Sequence, residues 1–301
     1  MMIEKIRTAL RGISGIHVTP YGSDGEIDEK LTARICRRMA EAGVHNVVSG
    51  GNTGEFFSLT AAEVDRLQAA AFAAIGDGAL RTAAVGRSLT EALATARQAV
   101  AAGAQALMIH HPADPFAAPS AQADYFLAIA EAARVPVMAY LRADTIPVAE
   151  LRRVALHPNV AGIKFASTNL MLLAECVRRT ADAPCVWVCG LAEGWAPAHY
   201  AAGARGFTSG LVNVAPERSL AIWKALDQGR YDDARALIDP IVPFEQLRTR
   251  HNNGANVTVV KEALVLLDFP VGPARLPNLP RLDASDRAQL RGVMAALALP
   301  R

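Results

Sequence analysis

Lysine is scarce in this chain of 301 residues. Of its 31 basic residues only five are lysines (Lys5, Lys30, Lys164, Lys224 and Lys261), leaving 26 arginines. A codon bias towards Arg and Ala accounts for such a skew on solvated surfaces, yet it makes each remaining lysine worth inspecting. Cysteine is scarce as well, confined to Cys36, Cys176, Cys185 and Cys189. The last two lie four apart in an apparent strand, where a rise of about 3.3 Å per residue separates them by ~13 Å, too far for a disulfide. No His/Cys cluster has the spacing of a zinc site, so no metal is assigned and the cysteines read as packing residues of a reduced, cytoplasmic protein. There is no basic block either. With 31 basic against 29 acidic residues the formal charge is +2, which offers no stripe for a nucleic-acid backbone. No run approaches the roughly 20 apolar residues of a membrane span, and MMIEKIRTALRGISGIHVTP lacks the apolar core and small-residue cleavage site of a secretory signal.

What is present is apolar material for a large core: 51% hydrophobic residues with 20% charged. Short β-branched or apolar runs alternate with longer Ala-rich helical patterns. Strands are predicted at 13–19, 44–49, 81–86, 106–111, 135–141, 160–166, 185–190 and 204–209. Helices are predicted near 28–42, 60–75, 90–102, 120–133, 147–157, 168–181, 195–202 and 216–228. Thr60 and Thr90 are N-cap candidates, and Gly43, Gly103 and Gly203 sit where chain-reversing residues belong after helices. Eight successive strand–helix units predict an α/β fold of the closed (β/α)8 TIM-barrel type over 1–229. The alternative, a doubly wound open sheet, would carry a Gly-rich phosphate turn after its first strand, and VTPYGSDGEID has none of the G-x-G-x-x-G form. Three further helical patterns, at 231–249, 256–268 and 284–297, predict a C-terminal helical extension over 230–301.

In a barrel the inward side chains at the C-terminal strand ends form the site, so strand parity selects the candidates. In VAGIKFA, Ala161, Ile163 and Phe165 share the helix-facing side, while Val160, Gly162, Lys164 and Ala166 point inward. Desolvation in an apolar lumen disfavours an ammonium and frees a nucleophilic amine able to form a Schiff base, which arginine cannot do. The plainer reading is a strand-end lysine that reaches solvent or pairs with a carboxylate. Lys261, in VTVVKEALVLL, lies outside the barrel units and reads as structural. In VPVMAYLR, Pro136, Met138 and Tyr140 point inward with Arg142 just beyond, and strands about 4.8 Å apart let Tyr140 reach the lysine. Tyr140 is an acid/base partner or a buried tyrosine with a satisfied hydroxyl. Arg142 forks to a substrate carboxylate or caps the rim. The loop Ser49-Gly50-Gly51-Asn52-Thr53-Gly54-Glu55 combines glycines, a hydroxyl and adjacent N–H groups, which make a carboxylate nest or simply turn the chain. His110 and His111 are adjacent in a strand, point to opposite faces and share no metal.

With those residues in view the chain resembles the dihydrodipicolinate synthase / N-acetylneuraminate lyase family of class I, Schiff-base barrel enzymes, and the match runs nearly end to end. Its carriers are VTPYGSDGEID, GGNTGEFFSLT, Tyr140, the GIK of strand six and GFTSGLVNVAPE. The resemblance implies that Lys164 forms an imine with pyruvate or another 2-oxo acid, that Tyr140 shuttles protons, and that Thr53 with Gly51 and Asn52 holds the carboxylate. Ser209, in the last motif, is carried over as a substrate contact. No cofactor is expected, the partner is a small-molecule substrate, and the family implies a homotetramer.

Departures bear on the reaction. Lysine-biosynthetic members pair two threonines in T-T-G-E and carry a relay tyrosine after strand four, where this chain has Asn52-Thr53 and Pro112-Ala113-Asp114. The relay therefore reads as incomplete. Tyr140-Leu141-Arg142 is more similar to the Tyr-Asn-Arg of the 5-dehydro-4-deoxyglucarate dehydratase branch, although Leu141 replaces the Asn. The expectation is a Schiff-base lyase acting on a 2-oxo sugar acid by dehydration, decarboxylation or carbon–carbon cleavage. Condensation of pyruvate with an aldehyde and a non-catalytic metabolite-binding barrel are the alternatives.

Overall fold

The computed structural model describes residues 2–297; Met1 and residues 298–301, where the expected extension ends, lie outside the described residues. All eight predicted strands form, seven of them shortened and β3 shifted one residue earlier than expected: β1 (Ile13–Ile16), β2 (Asn46–Ser49), β3 (Leu80–Val85), β4 (Ala106–Ile109), β5 (Val137–Leu141), β6 (Val160–Phe165), β7 (Val186–Cys189) and β8 (Phe207–Ser209). They pair in parallel in sequence order, and β1 closes on β8. A closed barrel leaves no unpaired edge.

Helices α1 (Met2–Leu10), α2 (Glu29–Glu41), α3 (Ala61–Ile75), α4 (Leu89–Ala101) and α5 (Pro119–Ala132) come first. They are followed by α6 (Val148–Leu156), α7 (Leu170–Arg179), α8 (Ala192–Ala201) and α9 (Pro216–Asp227). The chain then runs through α10 (Tyr231–Ile238), α11 (Val242–Thr249), α12 (Asn256–Val265) and α13 (Ala284–Ala296). Thr60 caps α3 in a reciprocal pair with Glu63, whereas the cap of α4 lies two residues before Thr90: Ser88 accepts from the Glu91 N–H. Gly43, Gly103 and Gly203 have φ of 92°, 101° and 106°, the left-handed region that favours glycine. The predicted 231–249 segment is two helices, because Pro240 and Pro243 withdraw backbone donors around a 3-10 turn at Asp239–Ile241.

Strand parity sorts the core into two apolar clusters. Val137, Ala139, Leu141, Ile163 and Phe165 pack in the cluster shared with the helices; Met138 and Tyr140 belong to the other, with Val48, Met108 and Val188. One part of the β6 reading is corrected. Val160 belongs to the helix-side cluster and Ala161 to the interior one, because the β5–β6 register steps from Val137↔Val160 to Met138↔Gly162. That bulge inserts one residue and inverts the parity below it, while Lys164 keeps its place opposite Tyr140.

Helix α1 was not predicted. Its Ile6 and Leu10 join the interior cluster and it contacts β1, β6 and β7. Gly162 makes room for it, since a Cβ there would stand 2.9 Å from Leu10 Cδ1. All four cysteines are free, and among the described residues no helix is long and apolar enough to cross a membrane.

Candidate active site

Lys164 comes off β6 into the barrel with only 4% of its surface exposed. Its Nζ lies 3.9 Å from the centroid of the Tyr140 ring, so the amine rests on an aromatic face. Among the described residues it has no carboxylate partner, and the nearby charge that acts on it is the Arg142 guanidinium. Burial first, and the Arg142 charge second, lower its pKa to about 7. Both disfavour an ammonium.

Tyr140 is equally buried, and burial pushes its phenol up to about 12. Asn52 Nδ2 donates to its hydroxyl oxygen at 3.1 Å, which leaves the hydroxyl proton to be given elsewhere. The oxygen of the Asn52 amide is buried without a partner. Asn52 is thus the group that holds the tyrosine.

The loop after β2 forms a 3-10 turn over Asn52–Gly54 that Gly51 enters in an extended conformation. Gly51 itself works as a turn residue: its carbonyl accepts from the Gly54 N–H at 2.9 Å, and a Cβ would lie 2.5 Å from Ile16 Cγ2. Glu55 ends the turn in the left-handed region, φ 61°, and its buried carboxylate secures the loop. Lys261 Nζ donates to Oε1 at 2.7 Å and the Arg275 N–H to Oε2 at 2.7 Å. The second buried lysine is therefore structural in its contacts, tying α12 to the loop.

Asn52, Thr53, Tyr140, Arg142, Lys164 and Ser209 line one cavity of about 740 Å³, and Gly51 does not. Arg142 is exposed. The Ser209 hydroxyl is already engaged: it donates to Glu193 Oε1 at 2.5 Å and accepts from the Val212 N–H at 3.1 Å. Glu193 also accepts from Ser219 at 2.5 Å, and its other oxygen is buried without a partner. Burial, reinforced by Glu245, raises its pKa. Nothing in AEGWAPA signalled this residue, whose acid side chain reads as an ordinary first-turn helix charge.

His110 and His111 do part company. His110 is buried, stacks on Phe56 at 4.3 Å and donates from Nε2 to the Gly50 carbonyl at 3.1 Å. Burial lowers its pKa to about 3, so it stays neutral at physiological pH and packs beneath the loop.

The dihydrodipicolinate synthetase family model matches residues 9–297. A 4-hydroxy-tetrahydrodipicolinate synthase of Streptomyces coelicolor is 31% identical, over 93% of this chain and 90% of its own. A protein of Chelativorans named a probable 5-dehydro-4-deoxyglucarate dehydratase is 29% identical, over 98% of each. Among solved structures, a dihydrodipicolinate synthase of Bacillus clausii superposes with a TM-score of 0.94 at 34% identity, covering 98% of this chain and 100% of that one.

Proposed function

This chain belongs to the dihydrodipicolinate synthetase family, and from that premise we propose that it is a class I lyase which binds a 2-oxo acid, a keto-deoxy sugar acid in particular, as an imine on Lys164. The observation that carries the reading is the placement of the lysine: a buried amine without a carboxylate partner among the described residues, lying on the ring of Tyr140.

The Lys164 amine adds to the C2 carbonyl, and loss of water from the adduct gives the imine. Protonated, that imine draws in the electron pair released when a proton leaves C3, a carboxylate leaves as CO2 or a carbon–carbon bond opens. Tyr140 moves the proton, since its own O–H is not spent on Asn52. Thr53 and the turn N–H groups hold the C1 carboxylate, and Arg142 meets the far end of the substrate. Relatives with both names stand at nearly equal identity, so likeness does not choose between elimination and pyruvate condensation. The Asn52–Tyr140 contact, replacing the threonine pair of the lysine-biosynthetic members, favours the former. We propose a cytoplasmic homotetramer on family grounds.

Reduction with borohydride in the presence of pyruvate tests the reading. The expected result is a stable adduct mapped by mass spectrometry to the peptide carrying Lys164; an adduct on Lys261, or none, sinks it. The trapping rate should climb as pH rises through about 7 and level off above, being close to a tenth of its plateau one unit below. A rate that keeps rising to pH 10 would mean an ordinary lysine. Tyr140→Phe should retain the adduct and lose about 10²- to 10⁴-fold in turnover, measured as product formed per trapped site.

A further inference from the structure

The cavity that holds Lys164 extends to a wall that no barrel strand supplies. Glu245 and Arg248 on α11 and Asn256 on α12 line it. Arg248 is 4% exposed; its Nη1 donates to both Glu245 oxygens at 2.8 and 3.0 Å, its Nη2 to Asn256 Oδ1 at 3.0 Å, and its Nε is buried without a partner. The guanidinium lies against Gly210, just after β8, where a Cβ would be 2.5 Å from Nη2. Any other residue at 210 would displace it.

We propose that Glu245, Arg248 and Asn256 form a subsite of this cavity that hydrogen-bonds the hydroxyl groups on the distal carbons of the substrate, so that α11 and α12 select hydroxylated 2-oxo acids over short ones. The proposal rests on the imine reading and deepens it. Three features argue for hydroxyls. Glu245 and Arg248 cancel each other's charge, so the trio offers no net attraction to a second carboxylate. It does offer what a polyol needs side by side: a carboxylate to accept from O–H groups, and guanidinium and amide N–H groups with donor capacity beyond the bonds they make to each other. The room is also there, since a three-carbon acid fills only a small part of about 740 Å³. The exposed Arg142 remains for any anionic terminus.

The test compares half-saturating concentrations for borohydride trapping with pyruvate and with 2-dehydro-3-deoxy-D-gluconate, in full-length wild type, Glu245→Gln, Asn256→Ala and Gly210→Ala. Wild type should favour the hydroxylated acid. In each variant the ratio of the two concentrations should shift against it by about 10-fold, the worth of one charge-assisted hydrogen bond. Gly210→Ala keeps all three polar groups and moves only the guanidinium, so it guards against a variant that fails to fold. A role confined to packing would move both concentrations together and leave the ratio unchanged, which overturns the subsite. So does a wild type that traps pyruvate and shows no preference. A wild type that traps neither acid overturns the imine reading and the subsite with it.

Discussion

Lys164→Ala is expected to leave no trapped adduct and to lower turnover by about 10⁴- to 10⁶-fold, the scale on which an essential nucleophile is lost. The size follows from the absence of a substitute. Lys261 is the other buried lysine, but its ammonium is held by Glu55 and the Pro273 carbonyl, and it does not line the cavity. Arg142 does line it, and a guanidinium is never deprotonated at working pH. The alanine variant should fold, because the change removes a desolvated amine rather than half of an ion pair. Its circular dichroism and melting temperature check that, and borohydride labelling equal to wild type would show that the nucleophile lies elsewhere.

Lys261→Met is expected to act on stability instead. Removing one member of a buried pair strands the other charge, and breaking such pairs costs about 3–5 kcal/mol. For a chain of this length that is a fall in melting temperature of roughly 5–8 °C. Glu55 would be left as a buried carboxylate with only the Arg275 N–H, at a backbone position that already favours glycine. The turn that carries Asn52 and Thr53 should loosen, so that KM for the 2-oxo acid rises more than kcat falls. The double variant Lys261→Met/Glu55→Leu removes both charges and should recover part of the lost stability. A single variant that melts within a degree of wild type would refute the clamp.

The barrel was legible because its signal is local and repeated. VMAYL and GIKF carry their two faces in the order of their side chains, and Tyr140 and Lys164 could be brought together by counting alone. Counting failed where pairing is not local. The extra residue at Ala161 shows only against the register of β5, so Val160 and Ala161 were assigned to each other's faces. Ser88 lost to Thr90 because two hydroxyl residues near a helix start look alike until the Glu91 N–H chooses between them. MIEKIRTAL is too short to show a helical period by itself, though Ile6 and Leu10 hold the four-residue spacing of a buried face. Arg248, Glu245 and Asn256 reach the cavity from a segment that the strand pattern does not describe. Arg248 in particular is hidden among 26 arginines that mostly need no explanation.

The bond between Glu55 and Lys261 spans 206 residues, and this bears on the order in which the molecule is made. During synthesis the loop after β2 leaves the ribosome long before α12 exists to hold it. Lys164 also emerges well ahead of its partner helices. Contacts of such sequence separation form late, after the local strand–helix units. From the addition of Lys164 until Lys261 follows, about a hundred residues later, the nascent chain has the loop after β2 without the clamp that holds it, and the cavity wall supplied by α11 and α12 is completed last.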